Sequence, residues 1–166
     1  MFIEKDVATI NENFINDIAK EWMLVSAGNE DEFNMMTASW GFVGEMWGKH
    51  AAICAIRPQR YTKKFVDENE YFALSFYGDG AQKTIHQICG KKSGRDTDKA
   101  KEANLTPIFS DNTVYFDEAR LVLICKKIYT SKIEPEKFLD KSIDKWYDND
   151  YHEAYIGEIV KCYVKE

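Results

Sequence analysis

The sequence lacks a long apolar run, paired cysteines and the common cofactor and nucleophile signatures. Its longest wholly apolar stretch, Ala51 to Ile56, is far short of the roughly 20 residues a membrane helix needs, so no membrane association is expected. The N-terminus carries Glu4, Lys5 and Asp6 and then polar residues. It has no apolar segment of the secretory type, and a cytoplasmic location is expected. Cys54, Cys89, Cys125 and Cys162 stand alone, with no CxxC among them, and read as free thiols of a reducing compartment. His50, His86 and His152 are equally isolated, so the ligand spacing of a zinc site is missing and no metal is expected. No GxGxxG follows a strand, and there is no P-loop, HExxH or GxSxG.

What is present is the material of one globular domain. The 166 residues are 45% hydrophobic, 14% aromatic and 30% charged, enough apolar mass for a core and enough charge to cover it. The net charge of −6 argues against general nucleic-acid binding. Its distribution says more than its sum. Residues 57–64 hold Arg57, Arg60, Lys63 and Lys64 with no acid, and residues 83–101 hold five lysines and Arg95 against Asp96 and Asp98. Each island carries +4, so the remainder carries −14. Two basic islands on an acidic chain point to a local anionic ligand or to two solvated faces, and charge alone does not separate these.

The hydrophobic periodicity predicts a short amphipathic helix near 11–20, built on Phe14, Ile15, Ile18 and Ala19, and a strand from Met23 to Ala27. Phe33 to Val43 is expected as one strand, with Gly41, Gly44 and Gly48 marking a bend or loop after it. Ala51 to Ile56 reads as a buried strand stopped by Pro58. A helix is expected over 60–69, a strand from Tyr71 to Phe76, a helix over 81–89 and a glycine-flanked basic loop from Gly90 to Gly94. A short helix from Asp96 to Ala103, capped by Asp96, comes next. Thr113 to Phe116, Ala119 to Ile128 and Ala154 to Val164 close the chain as strands, with helix and loop mixed over 135–146. About seven strands without regularly alternating helices favour a mainly β, mostly antiparallel barrel with peripheral helices over a doubly wound sheet.

Three segments match one another chemically. Asn34-Met35-Met36-Thr37-Ala38-Ser39-Trp40 offers backbone amides, two hydroxyls and an indole to a flat heteroaromatic ring, or is simply a strand with one polar face. Arg57-Pro58-Gln59-Arg60-Tyr61-Thr62 sets a guanidinium and a hydroxyl at the start of an expected helix, where phosphate is favoured. Cys89-Gly90-Lys91-Lys92-Ser93-Gly94-Arg95 combines glycines that admit close approach with donors for an anion. Cys89 and His86 are neighbours on a helix, yet no acid orients them, and Cys89 reads as packing rather than as a nucleophile.

In this order and spacing the chain resembles the flavin reductase-like family with the FMN-binding split barrel, and its flavoredoxin-like branch in particular. The resemblance is carried by NMMTASWG at 34–41, WGK at 47–49, RPQRYTKKF at 57–65, ICGKKSGRDTDKAKEANLTP at 89–107 and YHEAYIGEI at 151–159. It implies an antiparallel split β-barrel and a homodimer with FMN near the subunit interface. Met36, Thr37, Ala38, Ser39 and Trp40 would then lie along the isoalloxazine ring, with Asn34 also among the cofactor-binding residues. Arg57, Tyr61, Thr62, Cys89, Gly90, Lys92, Ser93, Gly94 and Arg95 would hold the remainder, with the phosphate clamped by Arg57, Thr62 and the Lys92–Arg95 loop. No residue is expected to be catalytic, because a flavin carries the electrons itself. His50 departs from the pattern, since relatives often have proline after the WGK.

The resemblance leaves two functions open. One is an oxidoreductase that takes electrons from NADH or NADPH through bound FMN to flavin or another acceptor. The other is a flavoredoxin-like carrier between redox partner proteins, with no small substrate of its own. A split-barrel module that has lost its cofactor is disfavoured by the intact motifs and the two basic islands. The aromatic stretches Trp40 to Trp47 and Tyr147 to Tyr155 are more apolar than a monomer's surface needs, consistent with a homodimer.

Overall fold

A computed structural model describes residues 1–166. In chain order the elements are β1 (Phe2–Glu4), α1 (Phe14–Asn16), β2 (Met23–Gly28), β3 (Phe33–Ala38), β4 (Gly41–Met46), β5 (Lys49–Ile56) and α2 (Thr62–Glu68). They continue with β6 (Tyr71–Phe76), α3 (Ile85–Lys91), α4 (Lys99–Glu102), β7 (Pro107–Ser110), β8 (Thr113–Phe116), β9 (Leu121–Lys132) and β10 (Glu153–Lys165). Seven strands pair in the order β3-β2-β6-β9-β10-β5-β4, β1 adds to the C-terminal half of β10, and β7 and β8 form a separate hairpin. Every pairing is antiparallel, so the mainly β architecture expected from the sequence is present. No helix is long and apolar enough to cross a membrane.

Strand alternation decides where each side chain goes. In β6, Phe72, Leu74 and Phe76 point into one cluster, while Ala73 between them joins another. In β9, Leu121, Leu123 and Cys125 share the first cluster, and Val122 and Ile124 share the second. The first cluster also takes Met23, Val25, Met36, Ala38, Cys54, Ile56, Tyr155 and Cys162 from the other long strands. One face of the sheet therefore wraps around a single core, which α2 plugs with Phe65 and Val66. Leu74 and Leu123 are fully buried, and truncating either to alanine should cost about 2–5 kcal/mol.

Several local expectations need correction. The strand expected over Phe33 to Val43 is broken between β3 and β4. A Cβ added at Gly41 would lie 2.3 Å from the Ile53 carbonyl oxygen, so the chain re-enters the sheet closer to β5 than any side chain allows. The stretch expected to bend after Gly41 is instead the β4–β5 hairpin, turned at Trp47 (φ 55°) and Gly48 (φ 70°), a handedness that suits strand twist. The helix near 11–20 shortens to α1 plus a wide turn over Asp17–Glu21. The helix over 81–89 becomes a 3₁₀ turn at Ala81–Lys83 followed by α3, which absorbs Gly90 and Lys91 from the expected loop. Asp98, not Asp96, caps α4, accepting from the Lys101 amide at 3.0 Å. β1 and β7 are short additions that periodicity did not reveal.

Candidate functional site

β3 lies at one end of the sheet order, paired with β2 on one side only. Met36 and Ala38 point into the core, while Met35 and Thr37 face α3 and the second cluster. Asn34 is buried, and its amide donates to the Thr62 hydroxyl at 3.1 Å, tying β3 to α2. A Cβ at Gly94 would fall 2.3 Å from Asn34 Oδ1, so the loop after α3 crosses directly over this tie. Three segments far apart in sequence are thus drawn together: β3, the 57–62 turn and the 90–95 loop.

Two adjoining cavities result. The first, about 180 Å³, is lined by Met36, Thr37, Ala38, Ser39 and Trp40, with Ala55, Arg57, Arg60 and His152 opposite. Trp40 is partly exposed and forms an aromatic wall, its ring edge-on to Trp146 (5.8 Å) and tilted against His152 (5.1 Å). The second cavity, about 150 Å³, is polar and strongly basic: Arg60, Thr62, Lys91, Lys92, Ser93 and Lys99 contribute to its wall. Arg60 belongs to both. Its guanidinium donates to the Cys89 carbonyl at 3.0 Å and the Gly90 carbonyl at 3.2 Å, which fixes it at the junction.

Lys99 is the unusual group. It is 3% exposed, and its ammonium donates to the Met35 carbonyl with no carboxylate alongside. Burial pulls its pKa down to about 8. A buried cation without a counter-charge is costly, and an anion in the cavity it lines would relieve that cost. Arg60 is held below its ordinary value for the same reason. The donor set therefore suits a compact dianion such as a phosphate monoester, next to a cleft that suits a flat ring.

The remaining expected residues divide by location. Lys92 lines the basic cavity while paired with Glu102. Arg95 stacks over Tyr61, 4.5 Å from the ring centroid, and donates to the Gln59 carbonyl at 3.4 Å, so it braces the wall rather than lining it. Tyr61 lines the cavity and donates its hydroxyl to Glu32 at 3.2 Å. Gly90 and Ser93 line it too. Cys89 is fully buried, and burial pushes its thiol up to about 11, so it is an uncharged packing group near neutral pH. Arg57 is not brought to the basic cavity. It pairs with Asp150 (2.5 Å), donates to the Trp146 carbonyl (2.9 Å) and lies over Tyr147, at the edge of the ring cleft.

Residues 15–166 match the family described as the flavin reductase like domain. The chain belongs to the flavin reductase-like family. Its fold is the FMN-binding split barrel, and three solved structures show the likeness. Flavoredoxin of Desulfovibrio vulgaris (Miyazaki F) superposes with a TM-score of 0.68 at 20% identity, covering 99% of this chain and 78% of that one. Flavoredoxin from Methanosarcina acetivorans gives 0.67 at 21% identity, covering 95% and 76%. The FMN-binding domain of a flavin reductases-like enzyme from Shewanella baltica OS155 gives 0.70 at 17% identity, covering 99% and 77%. A comparison with curated proteins finds no match.

Within this flavin reductase-like chain, Arg60, Lys99 and His152 are site residues that sequence reasoning missed. Arg60 sat in the first basic island, three residues from Arg57, and it is the turn at 57–60 together with the Asp150 partner of Arg57 that leaves Arg60 facing the 90–95 loop. Lys99 sat in the second island and looked like any solvated lysine. Its burial comes from the packing of α4 on β3, which no local pattern encodes.

Proposed function

We propose that this protein is an FMN-binding oxidoreductase that takes electrons from NADH or NADPH and passes them to flavin or another acceptor. The observation that carries the reading is Arg60, one side chain shared by a ring-sized cleft and a phosphate-sized basic cavity. The FMN ring would lie along Met36–Trp40, and Arg60, Thr62, Lys92, Ser93 and Lys99 would hold its phosphate. When bound, FMN supplies a group that accepts two electrons from a nicotinamide nucleotide and releases them to the acceptor. The protein's part is to bind, orient and shield that group.

Beside the cleft, an apolar groove of about 380 Å³ runs between α1 and residues 39–43, sharing Ser39 and Trp40 with it. Phe42 of the β4 edge forms part of its lining, so a second copy docked on that edge would border the groove beside the cleft. The protein works as a homodimer. β4 ends the sheet order and leaves Phe42, Met46 and Trp47 exposed, an apolar edge that a second copy would cover. In the reducing cytoplasm its four buried cysteines stay free.

The test is anaerobic reduction of the FMN-loaded protein, followed by absorbance, with NADH, with NADPH and with neither. Bleaching by a nicotinamide nucleotide is expected. Bleaching by dithionite but by neither nucleotide would exclude the reductase and leave the flavoredoxin-like carrier.

A further inference from the structure

His86 has a place in the site that the binding reading does not use. It sits on α3, 2% exposed, on the side of β3 to which Thr37 points. Its Nδ1 lies 2.8 Å from Thr37 Oγ1, and Thr37 makes no other side-chain hydrogen bond. Its Nε2 is buried with no partner. The edges of Trp22 and Tyr77 hold the ring, at centroid distances of 5.9 and 6.0 Å and interplanar angles of 76° and 80°. Burial keeps the imidazole neutral, so only one of its nitrogens carries hydrogen.

The unpartnered Nε2 decides which nitrogen that is. A buried N–H without an acceptor is rarer and costlier than a buried lone pair without a donor. The hydrogen therefore belongs on Nδ1, which donates it to Thr37 Oγ1. With that contact filled, the threonine's own hydrogen is free to point away from the imidazole. The open direction is the cleft, which Thr37 lines beside Met36 and Ser39.

We propose that His86 is a positioning residue that commits the Thr37 hydroxyl to donate into the ring cleft, to an acceptor atom on the edge of the bound ring. The inference rests on the flavin reading of that cleft. A device aimed at the ring differs from the phosphate-binding groups in one measurable way: it acts on riboflavin as strongly as on FMN.

The experiment titrates FMN and riboflavin into wild type, His86→Phe, Thr37→Val and the double variant, with the visible spectrum of the bound flavin recorded for each. One hydrogen bond of ordinary net strength corresponds to a roughly five- to tenfold loss. His86→Phe and Thr37→Val should each weaken both ligands by about that factor and shift the flavin bands alike. The double variant should be no weaker than Thr37→Val. His86→Asn, which keeps an N–H near the Nδ1 position, should recover most of the loss, and His86→Gln should not. Should His86→Phe fail to fold, the Asn and Gln pair carries the comparison. An effect of His86 that persists in the Thr37→Val background overturns the proposal, as does a loss confined to FMN. In the free protein, ¹⁵N resonances of His86 report the tautomer without any ligand. Hydrogen on Nε2 overturns the proposal by itself, whereas a wild type that binds neither flavin overturns the flavin reading.

Discussion

Replacing Arg60 by alanine should separate FMN from riboflavin. The guanidinium stands where the ring cleft meets the basic cavity, anchored by the Cys89 and Gly90 carbonyls through Nη2 and Nη1. Those carbonyls take only part of its donor set, which leaves N–H groups for an anion in the cavity it lines. A hydrogen bond to a charged partner contributes about 1.5–3 kcal/mol, and each ~1.4 kcal/mol is tenfold in affinity. Arg60→Ala should therefore weaken FMN by roughly ten- to a hundredfold while changing riboflavin by less than about threefold. Arg60→Lys should recover only part, because it keeps the charge but not the fork. Arg57→Ala is the contrast. Arg57 is occupied by Asp150 and the Trp146 carbonyl, and removing it should affect both ligands alike. Isothermal titration of each variant with each ligand reads all of this. An FMN-specific loss in Arg57→Ala with none in Arg60→Ala would refute the assignment and return the phosphate to Arg57.

Other consequences follow from the same groups. The Lys99 ammonium titrates near pH 8 in the free protein, and a phosphate needs it charged. FMN affinity should therefore decline as pH rises above about 8, and binding at pH 8.5 should take up protons, seen as a buffer-dependent heat in calorimetry; no buffer dependence would remove Lys99 from the phosphate site. Lys99→Met should weaken FMN yet raise the melting temperature, since it removes a buried cation that lacks a counter-charge; lower stability would contradict that burial cost. Burial holds His86 and His152 near pKa 4, below the unfolded value near 6.5. The unfolded chain binds more protons on these rings between those values, so their contribution to stability should be full above about pH 6.5 and fall toward pH 4, by up to about 3 kcal/mol for His86 and by less for His152, which lines the open cleft. Asp17, pushed up to about 6 by its own burial, pulls the other way over the same range, so urea titrations compare wild type with His86→Phe and His152→Phe: each variant should lose part of the acid-side fall, and an unchanged slope in both would mean neither ring is buried neutral. Light scattering should give a dimer, and Phe42→Asp at the β4 edge should yield monomer; a monomeric wild type would refute the interface.

The β content of this protein was legible because apolar runs survive in β2, β6 and the first half of β9, which are buried on both faces, and alternation survives in the partly exposed β10. The β3–β4 break was not. It depends on a contact between Gly41 and the Ile53 carbonyl, twelve residues away, and glycine alone did not say whether the chain bends or pairs. At the site, the three segments were readable as chemically matched, and the structure does bring them together. Their internal division was not readable. Arg57 and Arg60 are the same residue type in the same turn, and Asp150, more than ninety residues later, claims the first and leaves the second for the cavity. Thr37 was readable as a hydroxyl on a ring-facing strand, but its partner was not, because a histidine on a separate helix has no local signal tying it to that threonine.

The central claim is that the cleft along Met36–Trp40 and the basic cavity at Arg60 together form one flavin site. Titration of the purified, flavin-free chain with FMN, read by calorimetry and by quenching of flavin fluorescence, tests it most directly. Saturation at about one FMN per chain, with riboflavin bound far more weakly, is the expected result. No saturable heat and no quenching with FMN or riboflavin would contradict the account.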